Sequence, residues 1–214
     1  RVQVQPVVQT EAAAMIKEMM LLAGEAAARF AFQHSIPFQY ISQEAPELPN
    51  KLPSGLAGEY RKRRAMRPRS VGTIPSMHAA LGLAMYGQVT SPLRRYGDLV
   101  SHRQLLNYID GKPLTPAADL ILKIAAGDVA GRACVSAERA SRQHWTLVYL
   151  LQNPDWRGTA VVLEAMSRKA HIFIPSLGYE GDMTLDIEPE LNQELTVKVR
   201  RIRLAYLQAF FEQV

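Results

Sequence analysis

The stretch TSPLRRYGDLVSHRQL, Thr90–Leu105, begins like a helix and then sets two arginines at its start. Thr90 or Ser91 can cap the first free backbone N–H groups, and Pro92 suits the first helical position. A helix N-terminus already carries roughly half a positive charge, so Arg94 and Arg95 stand where cations are ordinarily disfavoured. A sequence that stacks positive charge on that end either tolerates a small penalty or holds an anion there. Phosphate fits, because N–H donors, the dipole and guanidinium forks all favour it. Along the predicted helix, Leu93, Tyr96 and Val100 fall at i, i+3 and i+7 and are expected to face the core. Arg94, Asp98 and His102 lie at i, i+4 and i+8 on a separate polar stripe. Asp98 reads as a metal ligand or, better, as the carboxylate that orients Arg94 one turn away.

Working outward, Gly111-Lys-Pro113 stops this helix, and Thr115-Pro116 starts another by the same cap-and-proline device. A further helix is predicted after Gly127 and Gly131, reaching about Gln152. Upstream, a long helix opens at Thr10 and runs to about His34. Its apolar positions cover so much of the circumference that burial is expected. Pro37, Pro46, Pro49 and Pro53 then forbid long regular elements. The run YRKRRAMRPRS, with cations from Arg61 to Arg69, reads as a solvated surface segment or as a phosphate-contacting one. HAALGLAMYGQV, residues 78–89, is small and apolar, with glycines that permit close backbone approach.

After Asn153-Pro154-Asp155 the pattern alternates. Residues 158–165, 171–175 and 194–211 read as strands, with turns at Gly178 and Gly181. Leu195, Val197 and Val199 share a face, and Ile202 and Leu204 continue it after a one-residue phase shift. Such a shift at Arg200-Arg201 is what a β-bulge produces. The fold class is therefore α+β: a helix-rich part over residues 1–153, then a small five-stranded OB-type barrel over residues 154–214.

Composition bounds the function classes. With 48% hydrophobic and 21% charged residues, the chain has the balance of a globular protein. The single cysteine, Cys134, excludes an internal disulfide framework and fits a reducing cytoplasm. No signal peptide or membrane span is expected, since Lys17, Glu18, Glu25 and Arg29 interrupt the apolar segment from Ala12 to Phe32. The formal charge of +5 leans toward a polyanionic partner. A first residue that is not methionine suggests a processed or partial polypeptide.

In its detail Thr90–Leu105 resembles the signature of the RNB family, the ribonuclease II-like exoribonucleases, which reads T-S-P-[IL]-R-[RK]-Y-[AG]-D-L-x-x-H-R-x-L. HAALGLAMYGQV keeps the spacing of the family's approach to this motif, with Ala80 at a usual glycine position. EMMLLAGEAAARF, residues 18–30, resembles the family's E-A-M-x-x-A-N-E-A-x-A helix, with Gly24 where asparagine is usual. SAERASRQHWTLVYL, residues 136–150, resembles its closing helix, and the barrel resembles its C-terminal RNA-binding domain. The resemblance begins in the middle of the RNB domain.

It implies a 3′-to-5′ hydrolytic exoribonuclease that degrades single-stranded RNA to nucleoside 5′-monophosphates. Arg94 and Arg95 would hold and polarise the scissile phosphate, beside Thr90 and Ser91. His102 would contact phosphate or sugar, Glu18 a ribose hydroxyl, and Glu138 the terminal nucleotide. On the barrel, Lys198, Arg200, Arg201 and Arg203 make a basic edge, with Phe173 and Tyr179 as stacking rings. The family's Mg²⁺ is bound by clustered aspartates. Asp110, Asp119, Asp128, Asp155, Asp182 and Asp186 are scattered, so the metal is expected on residues not present in this chain, in an N-terminal part of the same protein. The alternative is a non-catalytic RNA-binding or assembly module that keeps the RNB scaffold.

Overall fold

The computed structural model describes residues 1–214, which divide into two compact units that interleave along the chain. One comprises Val8–Glu47 and Met66–Val135; the other comprises Arg1–Val7, Leu48–Ala65 and Ser136–Val214. The expected boundary after Asn153 marks the change from helix to strand.

The first unit is helical. α1 spans Glu11–Gln33, and Thr10 caps it by accepting from the amide of Ala13. The expected burial of α1 is corrected: its first two turns are exposed, and only Gly24, Ala28 and Ala31 are buried. These lie at i, i+4 and i+7, so the packed seam is made of small residues. Met15, Ile16, Met19 and Leu22 project from other arcs into solvent. At Gly24 a Cβ would stand 2.3 Å from the Tyr86 ring and 2.5 Å from the Gly87 carbonyl oxygen, so only glycine permits this approach. Ala28 and Ala31 join Ile36, Phe38 and Tyr40 in one core cluster. A two-stranded antiparallel ladder pairs β1, Tyr40–Ser42, with β2, Ser70–Gly72.

The prolines leave room for one more helix before the motif, α2, Gly55–Ala65, in the second unit. α3 spans Tyr96–Ile109 and α4 spans Ala117–Gln152. The break expected near Gly127 and Gly131 does not occur, and α4 runs 36 residues without interruption. A helical glycine costs about 1 kcal/mol relative to alanine, too little to break α4, which buries Leu120 and Ile124 near its start and Leu147 and Leu150 near its end. Residues 117–135 of α4 belong to the first unit and 136–152 to the second.

The second unit holds the barrel: β3, Arg157–Met166; β4, Lys169–Ile174; β5, Tyr179–Thr184; β6, Glu194–Arg203; and β7, Gln208–Gln213. All neighbours are antiparallel, in the order β5-β4-β3-β6-β7. The two outer strands are tied by Tyr179, whose hydroxyl accepts from the Ala209 amide at 3.0 Å and donates to the Ala209 carbonyl. The bulge is where the phase shift put it: Val199 pairs with Phe211 and Arg201 with Phe210, leaving Arg200 extra. Two expectations are corrected. Gly181 is no turn but lies within β5, paired with Ile172. The run 194–211 is two strands, divided at residues 204–207 where Leu207 takes a left-handed φ of 52°. Leu147 and Leu150 of α4 enter the barrel core with Val162, Ile172, Ile174 and Val197.

Candidate nucleic-acid interface

The helix in the opening motif starts later than its sequence suggests. Residues 92–94 form a turn in which the Ser91 carbonyl accepts from the amides of Arg94 at 3.2 Å and Arg95 at 3.0 Å. Arg95, in an extended conformation, is the N-cap of α3, and no side chain caps that end. The arginines therefore precede the first turn rather than occupy it, and neither Thr90 nor Ser91 is the cap. The reason is Asp98. Its carboxylate is fully buried in the first turn and pulls the preceding loop down onto the helix. One oxygen accepts from the Ser91 amide at 2.8 Å and from the Arg95 guanidinium at 3.1 and 2.7 Å. Arg95 also donates to the Thr90 hydroxyl at 3.1 Å.

Asp98 thus orients Arg95, three residues back, and not Arg94. Arg94 is exposed and stands outside every ion pair and side-chain hydrogen bond of the unit. Its guanidinium is the one in this turn left open to an incoming anion. By the geometry of a helix start, the amides of Tyr96, Gly97 and Asp98 have no helical acceptor.

The faces of α3 are also corrected. Leu93 and Tyr96 are exposed, and the buried side is Asp98, Val100, Ser101 and Gln104. Asp98 and Gln104 face inward because they serve loop backbone, while the buried Ser101 hydroxyl has no partner. Gln104 donates to the carbonyls of Pro37 and Thr115, at 2.8 and 2.9 Å, and accepts from the Thr115 amide. His102 is half-buried, its Nε2 2.5 Å from the Val89 carbonyl oxygen. That bond ties the helix to the residue before Thr90 and commits one ring nitrogen. Tyr86 packs beneath; burial raises its hydroxyl above the ordinary range, with Arg95 opposing and Asp98 adding to the shift.

The structure gathers Thr90, Ser91, Arg95 and His102 around one loop, with Arg94 at its tip. Glu18, in the same unit, is exposed on α1 and forms no ion pair. Glu138, in the other unit, is exposed and meets Arg142 at 3.4 Å. Lys198 pairs with Glu212 at 3.0 Å, and Arg200 is exposed at the bulge. Tyr179 is no stacking platform, being a core residue. Phe173 is half-buried, and α2 lies over that side of the barrel: Leu56, Tyr60 and Arg63 share a cleft with Phe173 and Leu163. Arg63 bonds Glu180 at 2.6 Å, and the Tyr60 ring lies 5.3 Å from that of His171. The basic run is thus ordered and largely ion-paired, with Arg67 on Glu47 and Arg69 on Asp128. No sequence signal foretold this, since the acidic partners lie up to 117 residues away.

No three metal-capable side chains cluster anywhere in the chain, and the bonded oxygen of Asp98 is already occupied. The residues present do not fit a Mg²⁺ site. No helix is long and apolar enough to cross a membrane.

Residues 57–111 match the RNB domain family. An uncharacterized ribonuclease of Synechocystis sp. is 37% identical over 194 residues, covering 86% of this chain and 29% of that protein. The chloroplastic/mitochondrial ribonuclease II of Arabidopsis thaliana is 27% identical, covering 86% of this chain and 24% of its own length. The chain therefore spans under a third of these curated relatives. Among solved structures, an active-site mutant of the Dss1 exoribonuclease from Candida glabrata superposes with a TM-score of 0.84 at 22% identity, over 100% of this chain and 31% of that one. Mycoplasma genitalium RNase R, also solved with single-stranded and double-stranded RNA, gives 0.73 at 15% identity over 97% of this chain and 42% of that one. Yeast Ssd1, a pseudonuclease, gives 0.63 at 19% identity over 84% of this chain and 27% of its own. These likenesses establish the fold.

Proposed function

The chain belongs to the RNB-domain family, and on that premise we propose that it is the RNA-holding part of a 3′-to-5′ hydrolytic exoribonuclease that releases nucleoside 5′-monophosphates from single-stranded RNA. The observation that carries this reading is the turn before α3. There a buried carboxylate fixes Arg95 and leaves Arg94 free at a helix N-terminus. A partner-free guanidinium next to helix-start amides favours an anion, and favours it more as its charge grows. Arg94 is then the phosphate ligand, and Arg95, Asp98 and Thr90 are the scaffold that holds it out. Mg²⁺, where the reaction uses it, is held by residues outside these 214, in the N-terminal part of the same protein.

Replacing Arg94 by alanine in the intact enzyme is expected to lower kcat about 100-fold, in line with loss of one charge-stabilising donor, with a much smaller change in RNA affinity. Equal losses in both quantities, or none, would count against a role in the reacting complex. A second reading, an RNA-binding module without turnover, is favoured by the scattered aspartates. It predicts tight RNA binding by the intact protein with no product at any Mg²⁺ concentration.

A further inference from the structure

Beside the Arg94 turn, α3, α4 and the segment between them line a half-open cavity of about 230 Å³, with Tyr96, Leu99, Val100, Arg103, Thr115 and Lys123 on its walls. Tyr96, Leu99 and Arg103 repeat at i, i+3 and i+7, so they share one face of α3. Lys123 and Gly127 are one turn apart on α4. The Tyr96 ring is seated rather than loose: a Cβ at Gly127 would lie 3.0 Å from Cδ1 and 3.4 Å from Cβ of that residue. The same ring is 48% exposed, so it is held on one side and open on the other.

The charge around it is unbalanced. Asp128, next to Gly127, is already bonded to Arg69 at 2.9 Å and Arg132 at 3.0 Å. Asp119, one turn before Lys123, forms no ion pair with it. Arg103 and Lys123 both line the cavity without an acidic partner. Two free cations and a fixed, half-open ring select a ligand that carries phosphate and a flat ring together. A cationic peptide would be repelled, and a bare inorganic ion would leave the ring unused.

We propose that this cavity is a nucleotide subsite for single-stranded RNA, in which a base stacks on Tyr96 while Arg103 and Lys123 hold phosphates. It rests on the RNA reading above. Tyr96 is two residues from Arg94, so a strand held by its phosphate at Arg94 reaches the ring along the surface of the same unit. Its work is affinity and register, not chemistry.

The test is binding of a short labelled oligouridylate in the presence of EDTA, by the full protein and by variants at these exposed positions, with circular dichroism to check folding. Arg103→Ala/Lys123→Ala is expected to weaken binding about tenfold. It should also reduce the slope of log affinity against log salt by about 1.4, from two phosphate contacts on a single strand. Tyr96→Ala should weaken binding about tenfold with the slope unchanged, and Tyr96→Phe should bind as the unaltered protein does. An unchanged slope in the double variant, or unchanged affinity in Tyr96→Ala, overturns the subsite while RNA binding itself stands. Failure of the unaltered protein to bind RNA overturns both.

Discussion

Asp98 is the residue on which the candidate site turns. It is fully buried, yet it gives one oxygen to a backbone amide and a guanidinium, while its other oxygen has no partner. Arg95 is about a quarter exposed, so removing the carboxylate frees a cation that water can partly recover. Asp98→Ala is accordingly expected to cost about 2 kcal/mol, the value of hydrogen bonds to a charged group, rather than the larger loss of a wholly buried pair. Urea unfolding measures it. His78 offers a pH test. Burial holds its imidazole below the ordinary range; a backbone hydrogen bond opposes this, and Arg69 adds to it. The unfolded chain takes up this proton near pH 6.5, whereas the folded protein does so only at lower pH. The folded state therefore binds fewer protons, and the contribution is complete above that pH and shrinks as pH falls below it. The urea midpoint should drop between about pH 7.5 and 5.5, and His78→Gln should flatten that part of the profile.

At the scale of elements, α4 shows how length overrides local punctuation. Gly127 and Gly131 both look like breaks, yet they have different surroundings. Nothing lies within 4 Å of a Cβ at Gly131, so Gly131→Ala should stabilise the protein by about 0.5–1 kcal/mol through helix propensity alone. At Gly127 the same gain meets the Tyr96 ring at 3.0 Å and should be cancelled or reversed. Thermal unfolding of the two variants compares them directly. The start of α3 teaches the same lesson in reverse. The Thr-Ser-Pro cap signal is sound locally, but a carboxylate downstream recruits the Ser91 amide and turns the would-be first turn into a loop. The inward polar stripe is not visible in apolar spacing, because Asp98 and Gln104 are buried to partner loop backbone rather than to fill a core. The bulge at Arg200, by contrast, was legible because alternation in a strand loses its phase at one residue only if that residue is extra.

For the molecule as a whole, charge contributes little to folding. The cations of the basic run are paired at exposed positions, where such pairs contribute about 0–1 kcal/mol each and are screened by salt. Raising salt to about 1 M should therefore shift the unfolding free energy by less than about 2 kcal/mol. RNA affinity, if Arg94, Arg103 and Lys123 each hold a phosphate, should fall roughly 20-fold between about 50 and 200 mM salt. Parallel urea titrations and binding curves check the contrast. Sequence by itself determined the helix-then-barrel order, the bulge, the end of α4 at Gln152 and the family motif with its pair of arginines, because periodicity and short-range spacing are local properties. Only the tertiary structure decided which arginine is held and which is free, that α2 covers the Phe173 side of the barrel, and that Tyr179 closes it from within. Each of those depends on a partner brought close by folding, and the identity of such a partner is not encoded in the spacing of neighbouring residues.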